Sequence, residues 1–212
     1  MIRILRAAFF LLIVRPVLLL AIGAHVRRRE FLPRKGPAII AANHNSHLDT
    51  LILLTMFPLR DLPRLRPVAA ADYFLRSRWR AWFALNIMGI IPVTRGGRGG
   101  ANPLAPCEEA LDRGDILILF PEGSRGEPEV LSAFKRGLAH LARARPQVQV
   151  HPLFLYGLGK ALPKDSFLLV PFNCDVVAGE PFRWDGELDR FMATLQDRMT
   201  ALAEQVHRTP WE

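Results

Sequence analysis

The stretch PAIIAANHNSHLDTLILLTMF, residues 37–57, decides the fold of this 212-residue chain. It opens on an apolar run that predicts a short buried strand, and residues 48–57 have the pattern of a helix. Between the two, SHLD has the Ser-x-x-Asp spacing of a capping box, which predicts Ser46 as the helix cap and Asp49 at the third helical position. A strand, a tight turn and a helix in this order are typical of α/β proteins.

The rest of the chain repeats this alternation of short apolar runs and helical patterns. It predicts one α/β domain with a largely parallel central sheet flanked by helices, preceded by an apolar amino-terminal helix pair. Strands are predicted at 37–43, 67–71, 87–94, 115–120 and 148–156, with two more within 167–178. Helices are predicted at 48–57, 72–85, 102–113 and 134–144, and over the period-matched apolar positions 188 to 206.

Composition narrows the class of protein. Half of the residues are hydrophobic, which excludes a disordered chain, and 28 lysines and arginines against 20 acidic residues give a net charge of +8. The basic excess concentrates in residues 60–98, which suits phosphates on nucleic acid, lipid headgroups or a small substrate, or else forms a solvated basic face. Cys107 and Cys174 stand apart, so neither a disulfide framework nor a zinc site is expected.

Residues 1–26 form an apolar segment that predicts contact with a membrane. Its runs at 7–14 and 17–24 are interrupted by Arg15 and Pro16, and neither approaches the roughly 20 apolar residues that span a bilayer. Two short helices with a bend between them are expected to lie in the membrane surface. A secretory signal, which Arg15 argues against, and a buried helix pair are the alternatives.

Charges around this segment predict its orientation. Arg3, Arg6 and Arg15 are expected to reach headgroups, and the arginines at 27–29 favour the anionic cytoplasmic leaflet. The sequence thus predicts a membrane-associating segment at 1–26, an α/β domain at 27–212, and a peripheral or monotopic location on the cytoplasmic face of the cell membrane.

His44 and Asp49 form a candidate proton-handling pair. Residues five apart do not share a face of a continuous helix, so contact requires a turn, which Ser46 supplies. Asp49 would then fix the imidazole tautomer while the other ring nitrogen removes a proton from a hydroxyl. The alternative is that Asp49 only caps a helix. Ser124 lacks the G-x-S-x-G context of a nucleophile, so direct attack by a substrate hydroxyl is the simpler mechanism.

The turn PEGSRG, residues 121–126, is a candidate phosphate site. Gly123 allows close backbone approach, Ser124 donates a hydrogen bond, and the Arg125 guanidinium forks onto phosphate oxygens. Arg95 leaves the end of another predicted strand on the same side if the sheet is parallel. An ordinary turn with solvated arginines is the alternative.

Four ordered blocks together resemble the glycerolipid acyltransferases, a family typified by bacterial 1-acylglycerol-3-phosphate acyltransferase. The blocks are NHNSHLD (43–49), GIIPVTR (89–95), FPEGSRG (120–126) and VHPLFL (150–155), with GEP at 179–181 also in the family's order. The match runs from about residue 36 to 182, and four blocks in order are far more specific than one.

The resemblance implies transfer of a fatty acyl group from an acyl-CoA or acyl-carrier-protein thioester to a lysophospholipid hydroxyl, foremost 1-acylglycerol 3-phosphate, giving phosphatidic acid. It implies His44 as general base and Asp49 as the residue that orients it. It implies no cofactor or metal, an anionic membrane surface as partner and no nucleic acid. The implied substrate-binding residues are Asn43, Arg95, Glu122, Gly123, Ser124 and Arg125, with Pro152 in the acyl pocket.

Two departures keep alternatives open. His47 lies inside the first block and competes as base, although it lacks an acid five residues on. The region after GEP is short, so acceptors such as glycerol 3-phosphate, another lysophospholipid or a lyso-aminolipid stay open. The alternative from a different functional class is a non-catalytic protein that binds anionic lipid or nucleic acid through the arginines.

Overall fold

Seven strands form one sheet at the centre of the computed structural model, which describes residues 1–74, 77–94, 102–127, 130–162 and 170–207. The spatial order is β1-β7-β6-β2-β5-β3-β4. Five ladders are parallel and the β6–β7 ladder is antiparallel, so the predicted α/β fold with a largely parallel sheet is confirmed. The strands are β1 (Ile22–Arg27), β2 (Ala38–Ala42), β3 (Leu65–Ala70), β4 (Ile91–Val93), β5 (Ile116–Leu119), β6 (Gln149–Tyr156) and β7 (Phe172–Ala178).

Helices cover both faces of this sheet. They are α1 (Ile2–Phe9), α2 (Arg15–Ala21), α3 (Leu48–Thr55), α4 (Ala71–Phe74), α5 (Arg78–Phe83), α6 (Ala105–Asp112), α7 (Gly137–Ala144), α8 (Leu158–Ala161) and α9 (Leu188–His207). Phe10–Val14 and Ala84–Met88 are π-helical, and Arg29–Phe31 and Leu59–Arg64 are 3₁₀ turns.

Strand β2 shows why its sequence is an unbroken apolar run. It lies between β6 and β5, and all five of its residues are buried. Ile40 and Ala42 belong to the core layer under α3 and the amino-terminal segment, whereas Ile39 and Ala41 belong to the layer under α6, α7 and α9. A strand covered on both faces needs apolar residues at every position. Its carboxyl end is therefore held rigidly in the middle of the sheet.

The amino-terminal segment differs from the expected bent helix pair. α1, the π-helical segment and α2 follow one another without a break, because the wide π turn leads directly into Arg15 and Pro16 at the start of α2, where the missing proline N–H is tolerated. The residues after Ala21 form β1, which pairs with β7 at the edge of the sheet. The division expected at residue 26 therefore falls inside a strand.

One side of this segment is part of the protein core. Phe10, Val14, Leu18 and Ile22 recur every four residues and are all buried in the layer that contains α3. The other side is exposed, and its large apolar residues include Leu11, Leu12, Ile13, Leu19 and Leu20. In the ranges that the structure describes, no helix combines the length and apolar character needed to cross a membrane.

Two arginines that were expected at headgroups bind the segment to the domain instead. Arg6 is buried, and its Nη2 donates to the carbonyls of Leu65 at 3.2 Å and Met88 at 3.0 Å. The Nη2 of half-buried Arg15 donates to the Phe57 carbonyl at 3.0 Å. The expected headgroup contact of Arg6 is therefore wrong, because these carbonyls already bind its guanidinium inside the protein.

Gly89 makes room for that guanidinium. Its φ of +73° suits glycine, and a Cβ at this position would lie 2.7 Å from Nη1 of Arg6. The same turn shortens the strand expected at 87–94 to β4, after a π-helical segment. The single helix expected at 72–85 is divided into α4 and α5, and of the two strands expected within 167–178 the described residues contain β7.

Packing of the amino-terminal segment predicts unequal effects for two neighbouring substitutions. Phe10→Ala leaves a cavity in the core and should lower the free energy of unfolding by about 3–5 kcal/mol. Leu12→Ala, on the exposed side of the same turn, should change it by less than about 0.5 kcal/mol. Denaturant titration followed by circular dichroism measures both. Equal effects would contradict the packing described above.

Candidate active site

Asn43 fixes the carboxyl end of β2 to the neighbouring strand β6. It is buried, its Nδ2 donates to the Leu155 carbonyl at 2.9 Å, and its Oδ1 accepts the Leu155 N–H at 2.7 Å. These two bonds use the side chain to continue the ladder past the last strand residue. They indicate a positioning role for Asn43, and its expected contact with substrate stays a prediction.

His44 and Asp49 are in direct contact. His44 Nδ1 lies 2.8 Å from Asp49 Oδ2, with 18% of the histidine side chain and none of the aspartate side chain exposed. The turn between β2 and α3 is thus tight enough to join residues that a continuous helix would separate. The arrangement gives an imidazole at the surface of the site and a carboxylate behind it.

Asp49 Oδ2 is the point on which this turn converges. Besides the imidazole, it accepts the backbone N–H groups of Asn45 at 2.7 Å and Ser46 at 2.8 Å. Its other oxygen, Oδ1, is buried without a hydrogen-bond partner among the described residues. Because a carboxylate only accepts, Nδ1 of His44 donates and the ring lone pair is placed on Nε2. Nε2 is therefore the basic nitrogen.

The start of α3 differs in detail from the expected capping box. The helix begins at Leu48 with His47 before it, so Asp49 is the second helical residue. Ser46 Oγ accepts the Leu48 N–H at 3.3 Å and donates to the Leu162 carbonyl at 3.0 Å. Asp49 still accepts the Ser46 N–H, so the same carboxylate caps the start of the helix and orients His44.

The loop after β5 holds His44 on three sides. Glu122 Oε1 accepts the His44 N–H at 3.0 Å, and the Gly126 N–H donates to the His44 carbonyl at 2.9 Å. The Phe120 ring stacks on the imidazole with centroids 4.0 Å apart and an interplanar angle of 18°. With Asp49 at Nδ1, these contacts restrict both the backbone and the ring of the histidine.

Glu122 has contacts that differ from those expected of a substrate-binding residue. The side chain is buried, and its Oε2 accepts the Ser132 N–H at 3.4 Å while Oε1 binds His44. Burial raises the pKa of Glu122, and the hydrogen bond from the His44 backbone opposes the shift. A buried carboxylate engaged by backbone donors indicates a positioning role, since it would repel an anionic substrate.

Gly123 forms a turn under a lysine side chain. Its φ is +72°, its N–H donates to the Phe120 carbonyl at 3.0 Å, and a Cβ here would lie 2.8 Å from Lys135 Cδ. The Lys135 N–H in turn donates to the Pro121 carbonyl at 2.8 Å. The glycine therefore lets the lysine side chain cross the turn, which adds a positive charge beside the loop.

Ser124 and Arg125 follow at the rim of the loop, the serine exposed and the arginine half-buried. Desolvation is the largest cause that lowers the pKa of His47, and the charges of Arg125 and His44 lower it further while Asp49 opposes them. Arg125 is thus close enough to His47 for its charge to act there, three residues after His44. His44 differs from His47 in having the Asp49 carboxylate 2.8 Å from its Nδ1, and this contact favours His44 as the candidate base.

Two predicted site residues are not brought to His44 by the described structure. Arg95 lies outside the described residues, and β4, two positions earlier, runs parallel to β3. Pro152 lies in register with Ala41, and a Cβ at Gly179 would lie 3.0 Å from both Pro152 Cγ and Leu202 Cδ1, which places Pro152 on the sheet face covered by α9. That face is opposite to α3, so an acyl-pocket role for Pro152 stays a prediction.

The described residues contain no group of three His, Cys, Asp or Glu side chains placed to hold a metal ion.

Comparison with known proteins identifies the family. The family model described as Acyltransferase matches residues 23–156. This chain belongs to the acyltransferase family. The matched span begins in β1 and ends with β6, so it includes the His44–Asp49 turn and the loop that holds it.

Similar proteins are 1-acyl-sn-glycerol-3-phosphate acyltransferases by name. The chloroplastic LPAT1 of Arabidopsis thaliana is 32% identical over 65% of this chain and 37% of its own length. The alpha enzyme of Mus musculus is 30% identical over 94% of this chain and 66% of its own length. The chain thus spans under two fifths of the plant relative and about two thirds of the mouse one.

A solved structure has the same fold. The crystal structure of the 1-acyl-sn-glycerophosphate acyltransferase PlsC from Thermotoga maritima superposes with a TM-score of 0.79, covering 97% of this chain and 81% of that one at 17% identity. At 17% identity, this likeness shows that the two proteins share a fold.

The acyltransferase site includes residues that sequence reasoning missed. Phe120 ends the apolar run before PEGSRG, and only the position of that run next to β2 shows that its ring stacks on His44. Ser132 binds Glu122 from a segment without a motif. The place of Phe120 at the start of the block FPEGSRG was the available signal for the first residue, whereas Ser132 had no such signal.

The placement of Arg125 predicts a measurable shift at His47. Arg125→Gln removes a positive charge that disfavours the imidazolium, so the pKa of His47 should rise toward the ordinary histidine value of 6.5. Histidine ring NMR signals followed against pH, with His47→Gln for assignment, measure this. Arg143→Gln, an exposed substitution on α7, is the control and should leave the titration unchanged. An unmoved His47 pKa in Arg125→Gln would contradict the proximity.

Proposed function

We propose that this chain is an O-acyltransferase that moves a fatty acyl group from a thioester to the hydroxyl of a lysophospholipid, with 1-acylglycerol 3-phosphate as the first choice of acceptor. The observation that carries the proposal is the 2.8 Å contact between His44 Nδ1 and Asp49 Oδ2, inside a turn that fixes both side chains. The relatives named above support this acceptor. The donor is proposed as acyl-CoA or acyl carrier protein, which share the thioester.

The chemistry follows from the position of the lone pair. Nε2 of His44 takes the hydroxyl proton of the acceptor as its oxygen attacks the thioester carbonyl carbon. The C–O bond forms and the C–S bond breaks, and the leaving thiolate takes up the proton from the imidazolium. Asp49 stabilises that imidazolium across the Nδ1 hydrogen bond. A thioester is already activated, so proton removal and orientation suffice without a covalent enzyme intermediate.

Positive side chains near His44 suit the acceptor phosphate. The charge of Arg125 acts on His47, three residues after His44, and Lys135 crosses the turn at Gly123. Guanidinium and ammonium groups bind phosphate oxygens by charge-assisted hydrogen bonds. Ser124 at the exposed rim adds a hydroxyl, and we assign Arg95 to the same phosphate because β4 delivers the chain toward this edge of the sheet.

The exposed side of the amino-terminal segment suits a lipid surface. Leu11, Leu12, Ile13, Leu19 and Leu20 are exposed on it, and the Phe9 ring packs edge-on against Phe83 of α5 at 5.4 Å. That contact joins the segment to an exposed tryptophan pair. We call these residues the apolar face: Leu11, Leu12, Ile13, Leu19, Leu20, Trp79 and Trp82.

Large exposed apolar side chains in this number indicate an interaction site, and tryptophan is favoured where membrane meets water. Exposed Arg78 and Arg80 alternate with the tryptophans and add attraction to anionic lipid. We therefore propose peripheral association with the cytoplasmic membrane face, which would bring the site to substrates that live in the bilayer.

The base assignment predicts a strong loss of activity in His44→Ala. With labelled acyl-CoA and 1-acylglycerol 3-phosphate, the rate should fall about a hundredfold to ten-thousandfold, because the proposed base that takes the hydroxyl proton is lost. His47→Ala is the matched control and should keep most of the activity. Thermal unfolding of both variants checks that the fold is retained.

The same assay discriminates the alternatives. Unchanged transfer in His44→Ala would remove the histidine mechanism, and equal losses in both variants would remove its distinction from His47. A folded wild-type protein that transfers no acyl group to any of a panel of lysophospholipids, glycerol 3-phosphate and lyso-aminolipids would leave the lipid-binding reading instead.

Membrane association predicts that Leu19→Ser/Leu20→Ser weakens binding to phospholipid vesicles by about tenfold or more, since two exposed leucines lose their apolar contact with lipid. Vesicle flotation measures it. Val130→Ser/Val170→Ser removes two exposed valines outside the apolar face and should float like wild type. Equal flotation of the two double variants would count against the apolar face.

A further inference from the structure

Five arginines surround a cavity at the other end of the sheet from His44. Arg66 is the second residue of β3, Arg113 comes shortly before β5, and Arg3 lies on α1. The cavity is open and has a volume of about 630 Å³. Its lining consists of Arg3, Arg60, Asp61, Pro63, Arg64, Arg66, Arg113 and Asp115.

The register of the sheet separates this cavity from the candidate active site. Ala38 at the start of β2 pairs with Ile116, directly after Asp115, whereas His44 follows the far end of β2. At about 3.3 Å per residue, six residues place the two sites on the order of 20 Å apart. The residues that hold His44 are absent from the cavity lining, so the two sites are distinct.

Positive charge in the cavity exceeds negative charge. Five guanidinium groups face two aspartates, and Arg113 is 3.8 Å from Asp115. Arg60, Arg64 and Arg113 are exposed, while Arg66 is half-buried. Such a surplus of arginines in a concave site strengthens the local field and attracts anions.

Arg66 is the half-buried arginine of this cavity. Its Nε is buried and has no hydrogen-bond partner among the described residues. Burial lowers the pKa of Arg66, with the charge of Asp115 opposing and that of Arg113 adding to the shift. Behind it, burial and the charge of Arg66 lower the pKa of Arg6 to about 10. An anion bound among these guanidinium groups would relieve this repulsion.

We propose that this cavity is a second phosphate site, which binds a phosphomonoester group through Arg60, Arg64 and Arg66, independently of the acyl transfer assigned above. The planar guanidinium fork matches phosphate oxygens, and a dianionic phosphate nearly balances the surplus of three positive charges. Ile2 and Ile4 are exposed on the same helix as Arg3, so a lipid headgroup reaches the cavity as readily as a free phosphate.

The test compares charge-matched pairs of variants in the full chain. Arg60→Gln/Arg64→Gln removes two exposed arginines of the cavity, and Arg143→Gln/Arg183→Gln removes two exposed arginines elsewhere. Calorimetric titration with inorganic phosphate measures the soluble ligand. Flotation with phosphatidylcholine vesicles, with and without phosphatidic acid, measures the headgroup. Phosphate bound near His44 contributes equally to both pairs and cancels in the comparison.

The cavity pair should weaken binding about tenfold or more relative to the control pair, given roughly fivefold for each charge lost. A loss confined to inorganic phosphate supports a soluble phosphomonoester, and a loss confined to vesicles with phosphatidic acid supports a lipid headgroup. Equal binding by both pairs in both arms overturns the proposal. Arg66→Gln should add to the loss, and if it unfolds, the exposed pair still decides.

Discussion

The three hydrogen bonds that converge on Oδ2 of Asp49 are the constraint on which the rest of the site depends. A buried carboxylate is tolerated only where donors compensate it, and here the donors are the imidazole of His44 and the N–H groups of Asn45 and Ser46. The turn between β2 and α3 therefore takes the one shape that brings these donors together. The aspartate both closes a helix start and binds the imidazole of the proposed base, and a change to either role alters the other.

Contacts across the sheet join three of the four acyltransferase blocks. The first block ends β2, and its Asn43 bonds to Leu155, the last residue of the fourth block on β6. The third block follows β5 on the other side of β2, and its Glu122 and Gly126 bind the backbone of His44. Three adjacent strands thus deliver three blocks to one point. The third and fourth blocks hold the backbone of the first block in place. This role explains why Glu122, an acidic residue, occurs in a loop that is otherwise suited to phosphate.

The sequence could predict those features whose interacting residues lie close together along the chain. The buried strands β2, β5 and β6 and the apolar stripe of α9 were predicted because each is a local pattern, and the His44–Asp49 contact because it spans only five residues. The burial of Arg6 depends on carbonyls 59 and 82 residues away, which no local pattern reports.

The edge strand β1 was not predicted, for a similar reason. Its residues read as the continuation of an apolar helix, and only the free edge of β7 beside them makes a strand the better state. The two positioning roles, of Asn43 and Glu122, likewise required knowing which backbone groups lay opposite. Residue types and spacing predicted the candidate His44–Asp49 pair. The residues that hold this pair in place were found only from contacts across the sheet.

The amino-terminal segment combines core packing and the proposed lipid contact in one helical run. Phe10, Val14 and Leu18 are core residues, and Arg6 and Arg15 bind backbone carbonyls of the domain, so the segment is not a detachable anchor. Removing residues 1–26 would also remove most of β1 and expose the core layer above α3. Lipid contact therefore has to be examined by substitutions on the exposed side, where the fold is insensitive. Because the buried side fixes the helix on the domain, the proposed membrane association would have the angle between sheet and lipid surface set by the protein core rather than by the lipid.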